Sequence, residues 1–139
     1  MRVMVIVKAS TDSERGQLPS TKDLADMGRF NEELSNAGVM LAGEGLHQSA
    51  KGKRLRFTPS GPTVVNGPFE HPEQLVAGFW LLQVSSVDEA VTLMKKAPFG
   101  PGAELEIRQI AETDDFGAAM TPELRAQEER VRQRAEARH

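Results

Sequence analysis

Glu44 and His47 stand three residues apart in the segment Gly43-Glu44-Gly45-Leu46-His47. Imidazole titrates near neutrality and a neighbouring carboxylate can orient it, so these two side chains make an acid–base pair available for catalysis. The alternative is that both end a strand and face water. Arg54 and Arg56 alternate with Leu55 and Phe57. Two guanidinium groups on one strand face suit an anionic ligand, or form an ordinary solvated face. Asn66, Glu70 and His71 follow in a Gly- and Pro-rich stretch. Loops on a rigid sheet are where binding residues concentrate, but Asn-Gly-Pro is also plain turn chemistry.

Other chemistries have little to draw on. The 139 residues contain no cysteine and no tyrosine, so there is no thiol nucleophile, thiolate ligand or phenolic acid. The only histidines are His47, His71 and His139. No paired-histidine zinc motif, glycine-rich phosphate loop or nucleophile elbow is present. The expectation is therefore a site with no metal and no cofactor.

The elements that position these residues can be read from periodicity. Val3–Val7 is an unbroken apolar run, which predicts a strand covered on both faces. Residues 10–17 are polar and predict a loop. Ser20 with Asp23 resembles a capping box, and Leu24, Met27, Phe30, Leu34 and Ala37 then recur at helical spacing. Val39–Ala42 predicts a second strand, and the glycines after it allow a close backbone approach or a bulge. Lys53–Phe57 and Thr63–Val65, joined by Pro59-Ser60-Gly61-Pro62, predict a hairpin. Phe79–Val84 predicts another buried strand. Ser86 with Glu89 suggests a second capping box ahead of a helix through Ala90, Val91, Leu93, Met94 and Ala97, which Pro98 stops. Leu105, Ile107 and Ile110 mark the last strand. Phe79 and Trp80 are expected in the core.

The fold class is thus α+β: β-α-β, a hairpin, then β-α-β, ferredoxin-like, with an antiparallel sheet and both helices on one face. The sheet is too apolar for its other face to meet water, which predicts a homodimer stacked sheet to sheet. The domain spans residues 1–112, and a charged helical extension occupies 113–139. In that extension Thr121-Pro122 opens a helix with five arginines and four glutamates between Glu123 and Arg138. It forms either a surface helix laced with exposed ion pairs or an arm that wraps a partner.

Composition narrows the partners. Apolar residues make up 39% and charged residues 27%, ordinary for a folded domain. The net charge of −3 argues against a nucleic-acid binder. No apolar run reaches the ~20 residues of a membrane span, and Met1–Val7 lacks the features of a signal peptide. The expected address is the cytoplasm.

Asn66-Gly67-Pro68-Phe69 followed by Leu75-Val76-Ala77-Gly78-Phe79-Trp80 resembles the signature of the DGPF family, a branch of the YCII-related proteins. The resemblance extends to Asn31-Glu32-Glu33-Leu34, Leu41–His47, Glu106–Gln109, Asp115-Phe116-Gly117 and Thr121–Leu124. It implies ferredoxin-like subunits that pair as a dimeric α/β barrel. Two departures matter. The family's motif aspartate is Asn66 here, and His71 and Glu73 stand where an acidic and a basic residue usually follow. An amide cannot take a proton as a base, whereas it caps a turn well. The resemblance leaves three functions open. The first is a dimeric small-molecule-binding protein. The second is a lyase- or isomerase-type enzyme, with His47 as acid or base, Glu44 orienting it, and Arg54 or Arg56 on an anionic substrate. The third is a regulatory protein linked to sigma factors of transcription.

Overall fold

A computed structural model describes residues 1–138; His139 lies outside them. The chain divides into two compact units, Met1–Gln109 and a second that begins at Ile110. Among the described residues no helix is long and apolar enough to cross a membrane.

The first unit is a ferredoxin-like α+β fold. Strands β1 (Arg2–Lys8), β2 (Met40–Gly45), β5 (Val76–Gln83) and β6 (Leu105–Gln109) form one antiparallel sheet in the order β2-β5-β1-β6. Helices α2 (Thr21–Asn36) and α3 (Val87–Met94) connect them. Strands β3 (Lys53–Thr58) and β4 (Gly61–Asn66) pair as a separate two-stranded sheet between β2 and β5.

Strand alternation decides where the core sits. Val3, Val5, Trp80 and Leu82 share one face and pack in a single cluster with Phe30 and Leu34 of α2 and Ala90 and Met94 of α3. Met4, Ile6, Phe79 and Leu81 share the opposite face and are only half-buried. The expectation that Val3–Val7 is covered on both faces therefore holds for one face only within a single chain. The two helices both lie on the other side.

Local signals set the helix ends. Ser20 Oγ accepts from the Asp23 amide at 3.1 Å, and the Asp23 carboxylate accepts from the Ser20 amide at 3.1 Å. Residues 10–17 are not all loop: Ser10 and Ser13 cap each other and start the short helix α1 (Thr11–Glu14). Serine at the third helical position does the work usually given to Glu, so the pattern was not legible as a box. At α3 only half the expected box forms. Ser86 Oγ accepts from the Glu89 amide, but the Glu89 carboxylate turns to the amide and hydroxyl of Ser85. The last strand stops at Gln109, before Ile110.

In the second unit, Thr121 caps α4 (Pro122–Ala137), with Pro122 at its first turn. No residue of α4 is buried, and Arg132 pairs with Glu128 one turn earlier at 3.3 Å. Arg125 reaches Asp114 at 2.7 Å.

Leu82 is fully buried, so Leu82→Ala is expected to lower stability by about 2–5 kcal/mol; urea denaturation read by tryptophan fluorescence checks it. The hydrogen bonds from Ser85 hold the Glu89 carboxyl below the ordinary carboxylate range. A depressed folded-state pKa stabilises above the unfolded pKa, and that contribution disappears as pH falls through the folded value. Glu89→Gln is therefore expected to lower the melting temperature near neutrality and to narrow that difference in acid, as a thermal scan against pH would show.

Candidate functional site

Trp80 is the largest ring in the core and only 5% exposed. Its Nε1–H donates to Asn31 Oδ1 on α2 at 2.8 Å. Phe30 and Phe99 meet the indole edge-to-face, with centroids at 5.9 and 6.2 Å. Gly43 lies beneath it on β2. A Cβ at Gly43 would stand 2.9 Å from Trp80 Cδ1 and 2.7 Å from Met40 Cε, so the indole occupies space that any other residue would fill. The sequence motif Gly43-Glu44-Gly45 thus marks a close approach, and the register of β2 against β5 also shifts between Met40 and Ala42.

Beside Trp80 the same side of the sheet holds a cavity of about 270 Å³. Gly43, Gly45 and Gly78 give it a floor of bare backbone, and Met27, Asn31 and Phe99 stand among its other lining residues. A second, more polar cavity of about 640 Å³ shares Val7, Ala77 and Phe99 with the first. Lys8, Asp12, Glu73 and Glu104 line it. Both sit where β1 ends and β5 begins.

Glu44 borders the first cavity. Its Cα partner is Phe79, and the Gly43 Cβ direction meets Trp80. Alternation then sends the Glu44 side chain to the face away from the helices, beside Phe79. Glu44 and His47 are both exposed, and no hydrogen bond or ion pair joins them among the described residues. His47 is not among the lining residues of either cavity.

The other candidates belong to the hairpin and the turn after it. The Arg54 guanidinium stacks on the Phe69 ring, 3.9 Å from its centroid. Arg56 is exposed and sits opposite Thr63. Asn66 Oδ1 accepts from Lys53 Nζ at 2.5 Å, across the β3–β4 ladder. Glu70 is exposed. His71, in left-handed backbone at φ 63°, places Nδ1 3.4 Å from the Glu73 carboxylate. Arg54, Asn66 and Phe69 thus share one end of the hairpin, while Glu44 lies on the sheet. Among the described residues no group of three or more His, Asp and Glu is placed to hold a metal ion.

The Asn-Gly-Pro-Phe turn has a packing reason. A Cβ at Gly67 would lie 1.7 Å from the Ser49 carbonyl oxygen. Ser49 Oγ accepts from the Phe69 amide at 2.9 Å, and its own amide and hydroxyl donate to the Glu14 carboxylate. Both feet of the hairpin are therefore tied to α1 through one serine. Trp80 and Phe79 were expected only in the core, and Asn31 carried no expectation as a site residue. Nothing local marks Asn31, because its partner is 49 positions away.

The family model of the YCII-related domain matches residues 1–114. No curated protein matches the chain. Among solved structures, the chain is similar to 5-chloro-2-hydroxyhydroquinone dehydrochlorinase from Burkholderia phenoliruptrix AC1100, in complex with 2,5-dihydroxybenzoquinone. That likeness covers 81% of this chain and 96% of that one, at 14% identity and a TM-score of 0.41, and no residue role is carried across it.

Gly43→Ala is expected to displace the indole and to lower stability by about 1–3 kcal/mol, as overpacking does. The Nε1–H resonance of the single tryptophan and the urea midpoint report the two effects.

Proposed function

The chain belongs to the YCII-related family, and on that footing we propose that it is a dimeric binding protein for a small, flat, largely apolar molecule held beside Trp80. The observation that carries this is the glycine-floored cavity of about 270 Å³ on the helix side of the sheet. Glycine floors bring a ligand against the backbone itself, and the surrounding side chains are mostly apolar. A cavity of ~150 Å³ lined by apolar groups takes benzene, so the space here suits a molecule of one or two rings. Binding without turnover fits the exposed, unpaired state of Glu44 and His47 better than the acid–base mechanism does. It also fits Asn66, which cannot act as a base.

Dimerisation rests on the open sheet face. Met4, Ile6, Phe79 and Leu81 form an apolar centre, with Glu44 at the β2 edge and Glu106 and Arg108 at the β6 edge. An apolar patch framed by charges is the usual anatomy of an interface, and a second copy of the same face would cover it. The hairpin adds a separate apolar surface, with Leu55 59%, Phe57 82% and Val64 59% exposed.

Two experiments test these statements. Gly45 lines the cavity, and a Cβ there meets nothing within 4 Å. Gly45→Leu should therefore fill the floor without unfolding the chain. One-ring and two-ring aromatic probes are expected to change the fluorescence of Trp80 in the native protein and to lose this effect in Gly45→Leu. Equal responses in both proteins would refute the cavity as the binding site. In sedimentation at micromolar concentration the native chain is expected at twice the monomer mass and Leu81→Lys at the monomer mass. A native monomer would overturn the dimer.

A further inference from the structure

Asn31 is the one polar side chain, apart from Glu44, among the residues that line the cavity beside Trp80. Its amide is already oriented. An indole N–H can only donate, so the atom 2.8 Å from Trp80 Nε1 must be the Asn31 oxygen. That leaves the Asn31 nitrogen, with two N–H donors, at the other end of the same amide. It has no protein partner among the described residues. The Glu44 side chain, by strand alternation, points to the opposite face of the sheet. Among the side chains that face the cavity from the helix side, the Asn31 amide nitrogen is thus the polar group still free to bond a ligand, and its orientation is fixed.

We infer that Asn31 Nδ2 is the specificity-determining group of this cavity, and that it selects aromatic molecules carrying a hydrogen-bond acceptor such as a ring carbonyl. The inference rests on the binding role proposed above. A donor that faces this cavity gives up its water when an apolar molecule enters, and a donor left unmet against the ligand is costly. A ligand with a carbonyl at the right edge restores the bond, whereas the matching hydrocarbon leaves the donor unmet. The Trp80 bond holds the amide in place and so reduces the entropy lost on binding.

A matched pair of probes tests this directly: 1-indanone and indane, which share a ring system and differ by the carbonyl. Titrations are followed by Trp80 fluorescence and by the Nε1–H resonance. The native protein is expected to bind 1-indanone about fivefold to tenfold more tightly than indane, the worth of one neutral hydrogen bond. Asn31→Asp keeps an oxygen for the indole N–H but removes both donors. It is expected to bring the ratio of the two affinities to about one, with the Nε1–H resonance little moved. Equal affinities in the native protein would overturn the inference and leave the binding role standing. A preference that survives in Asn31→Asp would overturn it too, by assigning selection to another group. No binding of either probe would overturn the binding role and this inference together.

Discussion

A single tryptophan has to be buried with its N–H satisfied, and much of the first unit is arranged around that requirement. An indole in a core needs an acceptor for its one donor, and leaving it unmet would cost about 1–3 kcal/mol. Asn31 supplies that acceptor from α2, which fixes the helix turn that faces β5. The ring is also broad, so the neighbouring strand must yield. Gly43 does so, because any side chain there would meet the ring below 3 Å. Phe30 and Phe99 close the edges. The glycines that admit Trp80 and carry β2 past it are the same ones that leave bare backbone beside it. Core packing and the candidate cavity therefore have one cause.

The second constraint is that two helices cannot cover two sheet faces. β1 and β5 carry apolar residues at nearly every position, yet α2 and α3 pack on the Val3, Val5, Trp80 and Leu82 side alone. The Met4, Ile6, Phe79 and Leu81 side remains half-buried. The hairpin does not join either layer through backbone pairing. A two-stranded ribbon is marginal in water by itself. Here it is anchored at its base, where Glu14, Ser49 and Phe69 form one hydrogen-bonded chain and Gly67 lets the two feet close together. Arg54 lies across Phe69 on the same base, so its charge is already engaged.

How much of this was legible in the sequence depends on the range of each interaction. Ser20 with Asp23 and Thr121 with Pro122 are contacts within one helical turn, and their residue types announce them. The strands and their alternation were equally plain, because period two is a local pattern. Gly43 was recognisable as a point of close approach, but not what approaches it. Asn31 was invisible as a site residue, since its meaning comes from Trp80 far along the chain. Glu44 and His47 show the converse. Proximity in sequence suggested a pair, but strand alternation turns Glu44 to one face and the chain carries His47 past the strand end. The Ser49 tether was likewise illegible, as it joins α1, the hairpin and the Asn66–Phe69 turn across three separate segments.

The ligand proposed for this chain sits on the helix side of the sheet, against Gly43 and Gly45 and beside Trp80. The most direct measurement is a crystal structure of the protein soaked with 4-bromoacetophenone, with bromine located by anomalous scattering. A bromine peak is expected inside the glycine-floored cavity, in contact with its lining and with the acetyl oxygen toward Asn31. A peak confined to the open sheet face, or to the hairpin, would contradict that placement.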